Sequence, residues 1–252
     1  MSFDPLSFDT SRQHIRWCLT LSGPLHYQHF STEFSDINPY DGSDFTPEQA
    51  RGSLREQIRV ETEPEFKAFV FDACRNGIDK EPLLNVIDQC ACTRPSEWSE
   101  TLKTAESHTH RIELEYAALV WHMVQHKKFK AWDFARLVMF TRQAHYASII
   151  TNKEAEYYLL YVGHIAQTTF SSWKEYLISY TLGEHWFSYQ EGLCDAEALT
   201  ESDMVIDYSS DRLGKSSRFN LHLNDIPWHT PLPEVNSQSW LLTPQVVDKE
   251  IK

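Results

Sequence analysis

The chain has 252 residues, 41% hydrophobic and 13% aromatic, so it can build a sizeable core and is not disordered throughout. Its formal net charge is −13, from 23 basic and 36 acidic side chains. That charge argues against binding to a nucleic-acid backbone or to an anionic membrane surface.

The N-terminus has no basic start followed by an apolar run, so it does not resemble a secretory signal. No stretch of about eighteen apolar residues predicts a membrane span. The five cysteines are scattered, which is typical of reduced thiols. Together these features predict a soluble cytoplasmic protein.

In chain order, the first predicted element is an acidic, loop-rich segment over 1–45 that packs on the domain, because residues 31–46 are turn formers almost throughout. Thr46, Pro47 and Gln49 then predict a helix start, with a capping threonine, a proline in the first turn and a glutamine that completes a capping box.

A helical domain is predicted over 46–190, because apolar residues recur there at helical spacing and the connections are short. The helices after the first are predicted at about 64–76, 81–92, 108–127, 131–146, 151–169 and 171–186. The fold class is therefore all-α, a compact multi-helix domain. An irregular, acidic C-terminal segment over 191–252, containing Pro and Trp, is predicted to wrap the helices, with Trp228 and Trp240 as anchors.

The block 131–186 carries three recognisable motifs, which are Trp132-Asp133-x-x-Arg136, Ser172-Trp173-x-Glu175 and Gly183-x-x-Trp186. Their order and spacing resemble a bacterial domain of unknown function, the DUF1266 family typified by the enterobacterial YbeU and YbeR proteins. The likeness extends weakly back toward residue 50, and Pro227-Trp228 also fits it. Gln143-Ala144-His145-Tyr146 departs from it, since glycine is usual before that tyrosine. The resemblance implies an α-helical bacterial domain and no established chemistry.

Asp133 and Arg136 stand three residues apart on one predicted helix, close enough to pair. They form either a structural ion pair or a polar site in which Arg136 binds an anionic group. The corresponding enzyme hypothesis adds Tyr180 and His185 as catalytic residues. The binding hypothesis adds two aromatic residues of the motifs, Trp173 and Trp186, to Asp133 and Arg136 as ligand-binding residues.

Three other patterns favour structure over chemistry. Ser172 and Glu175 fit a helix cap better than a nucleophile, because no nucleophile elbow surrounds the serine. The cysteine and histidine pairs lack zinc-site spacing, so we expect neither a metal nor a cofactor. The basic run at 127–130 is interpreted as a solvated helix end.

The charge is unevenly distributed. Residues 1–110 carry −8 and residues 191–252 carry −6, whereas the block between them carries +1. This distribution favours a protein-binding or regulatory function, such as an immunity protein whose acidic flanks neutralise a basic toxin. The alternative is an enzyme or delivered effector that acts on an anionic small molecule through Asp133 and Arg136.

Overall fold

The computed structural model describes residues 12–29, 40, 45–78, 82–200, 223 and 225–235. Within these ranges the chain is all-α, as predicted. The helices are α1 (Gln13–Thr20), α2 (Gly23–His29), α3 (Pro47–Ile58), α4 (Glu63–Asn76), α5 (Pro82–Cys92), α6 (Pro95–Lys103), α7 (His108–Val124), α8 (Lys130–Tyr146), α9 (Asn152–Thr169), α10 (Trp173–Gln190) and α11 (Glu197–Thr200), with a 3₁₀ turn, η1 (Gln125–Lys127), between α7 and α8.

Side-chain caps set the starts of several of these helices, including the predicted starts of α3, α9 and α10. The Thr46 hydroxyl accepts from the Gln49 amide, and the Gln49 side chain accepts from the Thr46 amide. Thr151 and Glu154 form the same capping box at α9. At α10 the Ser172 hydroxyl accepts from the Glu175 amide. Each cap satisfies amides that the first helical turn leaves without partners, which explains why these starts were predictable.

The centre of the domain is α8, which packs between α9 and α10 and also contacts α2, α3 and α4. Most of its residues from Ala131 to Ala144 are buried, including Phe134, Leu137 and Val138. A helix that is buried on nearly every face belongs in the middle of a bundle. A second apolar cluster joins α5, α7 and α11 to Leu182 and Trp186 on α10.

The N-terminal part of the chain contains two helices, α1 and α2, that the sequence did not predict. Trp17, Cys18 and Leu19 on α1 are fully buried. A Cβ atom at Gly163 of α9 would lie 2.8 Å from the Cys18 sulfur, so the two helices are in close contact. Helix α1 has no side-chain cap, so packing against α9 stabilises it more than local propensity does.

Helix α6 was also missed, and α10 runs to Gln190, four residues beyond its predicted end. In the C-terminal part, Trp228 is buried, and its indole N–H donates to the Phe170 carbonyl at 3.0 Å. Its ring lies 4.7 Å from that of Trp173. The predicted loop at 31–46, apart from its last residues, and the predicted anchor Trp240 lie outside the described residues. No helix in the described part of the chain is long and apolar enough to cross a membrane.

Candidate functional site

A cavity of about 210 Å³ lies where the C-terminal end of α4 meets the first turns of α8 and the second half of α10. The turn that contains η1 and one residue of α5, Leu84, complete its rim. Two of the three sequence motifs line it, through Trp132, Asp133, Arg136, Gly183 and Trp186. Five of the lining residues are therefore ones that the motifs single out.

Asp133 and Arg136 are paired, as their spacing predicted, and both line the cavity. The Arg136 Nη2 atom donates to Asp133 Oδ1 at 2.8 Å, and the two side chains are 12% and 14% exposed. The guanidinium lies 5.2 Å from the Trp132 ring centre and 5.8 Å from that of Phe187. A guanidinium held by a carboxylate and two aromatic rings is fixed in orientation and keeps its positive charge.

Further cationic side chains line the same cavity, namely Arg75, Lys128 and Lys130. Asp133 is the one carboxylate among the described lining residues. Lys128 is anchored on α5, where its Nζ atom donates to Leu84 O at 3.2 Å and to Asp88 Oδ2 at 2.7 Å. In a chain with a net charge of −13, this is a locally positive site.

The turn before α8 has an unusual backbone. Gln125 and Lys128 have φ angles of +53° and +46°, with ψ near −130° and −120°. Side chains disfavour this region, which usually holds glycine, so each residue costs about 1–3 kcal/mol. Ser179 of α10 supports the turn: its hydroxyl donates to Lys128 O at 2.7 Å and accepts from the Ala131 amide at 3.3 Å. Tertiary contacts thus hold the cavity rim in a strained conformation.

We expect Gln125→Gly to raise the free energy of unfolding by about 1 kcal/mol, because glycine adopts this backbone conformation without strain. Urea unfolding followed by circular dichroism measures the change. Gln49→Gly is the control. It places glycine inside α3 and removes a capping-box partner, so it should destabilise the protein. Equal losses in both variants would contradict the assignment of strain at Gln125.

Aromatic rings form the inner wall of the cavity. Trp132, Phe129 and Trp186 are 6–7% exposed. Gly183 allows α10 to approach this wall, since a Cβ atom there would lie 2.5 Å from Trp132 Cβ and 3.1 Å from Phe129 Cβ. The site therefore combines a rigid apolar wall with a cationic rim, the usual make-up of a pocket for an organic anion.

The remaining predicted site residues lie outside the cavity lining. The Tyr180 ring packs behind Trp132, with ring centres 5.3 Å apart. His185 is half-buried on α10. Trp173 belongs to a different aromatic cluster, where its ring lies 5.3 Å from that of Trp17 and its indole N–H donates to Ile226 O at 2.7 Å. The structure thus brings together Asp133, Arg136 and Trp186.

Cys74 lines the cavity, but its chemistry is that of a neutral thiol. Burial, reinforced by the charge of Asp133, raises the pKa of Cys74 to about 12. The reactive thiolate is therefore scarce at neutral pH. In the described ranges, no group of three or more His, Cys, Asp or Glu side chains is arranged to hold a metal ion.

Sequence reasoning missed Arg75 and assigned the basic run to solvent. Lys130 is exposed but lines the cavity. Lys128 is 19% exposed, and Lys127, 18% exposed, pairs with Glu175. The run itself was a usable signal for Lys128 and Lys130. Nothing in the sequence pattern pointed to Arg75, which the fold brings to the cavity from the end of α4.

Comparison with known proteins gives one match. The family model described as "Protein of unknown function (DUF1266)" matches residues 53–213. No curated protein and no solved structure matches the chain. The matched range contains Arg75, Lys128, Lys130 and the motif residues at the cavity.

Proposed function

Because the chain belongs to the DUF1266 family, described only as proteins of unknown function, we propose its function from the cavity: it binds a small organic anion there. The anionic group lies at the cationic rim, beside Arg136. The apolar part of the ligand lies against the aromatic wall.

The observation that carries this proposal is the sign of the charge at the cavity. Four cations line it, Arg75, Lys128, Lys130 and Arg136, against Asp133, the single carboxylate among the described lining residues, and Asp88, which pairs with Lys128 from outside the lining. In the whole chain, by contrast, acidic side chains outnumber basic ones by thirteen. The first turn of α8 adds the partial positive charge of a helix N-terminus. A positive, partly desolvated cleft concentrates anions and strengthens their electrostatic attraction.

The geometry supports binding better than a reaction. Of the four residues in the enzyme hypothesis, Asp133 and Arg136 line the cavity, whereas Tyr180 and His185 do not. Cys74 is held as a neutral thiol, as its raised pKa shows. The described lining thus offers charge and apolar surface to a ligand, without a paired nucleophile and base.

We expect Lys130→Glu to weaken anion binding roughly tenfold. An exposed charge contributes about 0.5–1 kcal/mol to the binding free energy, and reversing its sign changes that energy by about twice this amount. Isothermal titration with benzoate and with inorganic phosphate measures the change. Lys174→Glu is the matched control, because Lys174 is likewise an exposed lysine in the first turn of a helix but does not line the cavity. The proposal fails if both variants weaken anion binding equally, because the anion is then not held at the cavity.

A basic protein partner is the second candidate, as expected for an immunity protein. It is supported by an exposed acidic stretch after α10, where Glu191, Asp195 and Glu197 flank Leu193 in the sequence and Leu193 is 75% exposed. An exposed apolar side chain in an acidic segment suits a cationic interface. The test is whether the product of a neighbouring gene forms a stoichiometric complex that dissociates at high salt. The finer likeness to the YbeU and YbeR proteins stays a prediction.

A further inference from the structure

Two tryptophan side chains line the cavity and offer apolar contacts to a flat ring. Trp132 and Trp186 line it from α8 and α10, and Phe187 packs on Trp132 with ring centres 5.5 Å apart. Aromatic side chains favour stacked or edge-to-face contacts with planar ligands over contacts with saturated ones. The wall thus selects for planarity.

Trp132 also has a polar group that no described residue satisfies. Its indole Nε1 atom is buried and has no hydrogen-bond partner, and the side chain is 7% exposed. Tyr180 and Phe187 pack on the ring, and Gly183 lies close to the Trp132 Cβ and Cγ atoms, so the side chain is held in place. Buried N–H groups are normally paired, so an acceptor on a ligand would compensate this one.

The volume limits the size of the ligand. The cavity, at about 210 Å³, is smaller than the usual small-molecule pocket of about 300–1,000 Å³. That space suits one six-membered ring with a small anionic group at the rim.

Resting on the proposed function, we infer that the ligand class is a planar, single-ring heteroaromatic carboxylate. Its ring lies against Trp186 and at the edge of Trp132, where a ring acceptor takes the hydrogen bond of the Trp132 indole N–H. The carboxylate lies at the rim, attracted by Arg136 and Lys130. This class accounts for the aromatic wall, the buried donor and the positive rim together.

Four probes test this class by isothermal titration, namely pyridine-3-carboxylate, benzoate, cyclohexanecarboxylate and inorganic phosphate. Pyridine-3-carboxylate carries a ring acceptor that benzoate lacks, and cyclohexanecarboxylate is not planar. We expect both aromatic acids to bind more tightly than cyclohexanecarboxylate. In Trp132→Phe, which keeps an aromatic ring but has no donor, the preference for pyridine-3-carboxylate over benzoate should fall about fivefold, the loss of one hydrogen bond.

Proton–nitrogen NMR of the wild type gives a second readout that does not depend on the variant folding. The chain has eight tryptophans, and one indole N–H signal should move further downfield with pyridine-3-carboxylate than with benzoate, because only the former accepts its hydrogen bond. An unchanged preference in Trp132→Phe, or no selective indole shift, would refute the inferred hydrogen bond. Binding of phosphate or cyclohexanecarboxylate without either aromatic acid would refute the ligand class and leave the proposed function standing. Binding of none of the four would refute both.

Discussion

We expect Gly183→Ala to lower the free energy of unfolding by about 3 kcal/mol, the upper part of the usual range for overpacking. The added Cβ atom would lie 2.5 Å from Trp132 Cβ and 3.0 Å from Trp132 Cγ. These atoms are close to the backbone of α8, so no side-chain rotation relieves the clash. Helix α10 must move away from α8, which carries most of the core.

Gly52→Ala is the matched control for this substitution. Gly52 is also inside a helix, α3, but a Cβ atom there meets nothing within 4 Å. Alanine at that position should stabilise the protein by about 0.5–1 kcal/mol through helix propensity. Thermal unfolding separates the two cases, because 3 kcal/mol corresponds to a fall in Tm of roughly 6–12 °C for a chain of this size. A similar Tm for both variants would contradict the close contact at Gly183.

The same contact connects the fold to the site. Gly183 sets the distance between α10 and the wall that Trp132 and Phe129 form, so a shift of α10 changes the shape of the cavity. We therefore expect Gly183→Ala to weaken ligand binding even at temperatures where the variant stays folded. Titration with benzoate at 15 °C checks this second effect.

The sequence predicted those elements whose determinants are local. The capping-box partners of Thr46 and Thr151 lie three residues later in the sequence, so four consecutive residues determine each helix start. Helices α1 and α6 carry no side-chain cap and are short, so their stability depends on distant contacts that no sequence window contains.

The candidate site likewise has some features that follow from the local sequence and others that depend on tertiary contacts. The pairing of Asp133 with Arg136 follows from helical geometry, and the two side chains are hydrogen-bonded in the structure. The cavity depends on tertiary contacts: Arg75 arrives from α4, and the turn before α8 is held by Ser179 on α10. A strained φ angle at Gln125 or Lys128 has no sequence signature, because the usual marker would be glycine.

The uneven charge has a structural counterpart. The central block is nearly neutral in sum, but its cations are concentrated at one cavity, where Lys128, Lys130 and Arg136 meet Arg75 from the preceding region. The net charge of −13 therefore hides a positive site. Net charge describes the surface as a whole, whereas a binding site depends on its local field.

The Asp133–Arg136 pair gives the second large effect, since both side chains are mostly shielded from water. We expect Arg136→Met to lower the free energy of unfolding by about 3 kcal/mol, because it leaves a desolvated carboxylate without its closest cation. Asp133→Asn should cost less, since Arg136 keeps its contacts with the Trp132 and Phe187 rings. The double variant should be less destabilised than the sum of the two, with a coupling energy of about 1.5 kcal/mol or more.

The pair of Glu100 and Lys103 is the matched control for this double-mutant cycle. It has the same spacing and a similar distance, 2.7 Å against 2.8 Å, but its side chains are 69% and 66% exposed. Its coupling energy should stay below about 0.5 kcal/mol, because water screens the charges. Urea unfolding of both cycles measures the two couplings, and equal values would show that the Asp133–Arg136 pair is solvated.

Arg136→Lys distinguishes the two roles of the arginine, because it keeps the positive charge but loses the planar stacking. Much of the stability lost in Arg136→Met should return in this variant. A site that depends on both the charge and the stacking should nevertheless bind benzoate more weakly than the wild type.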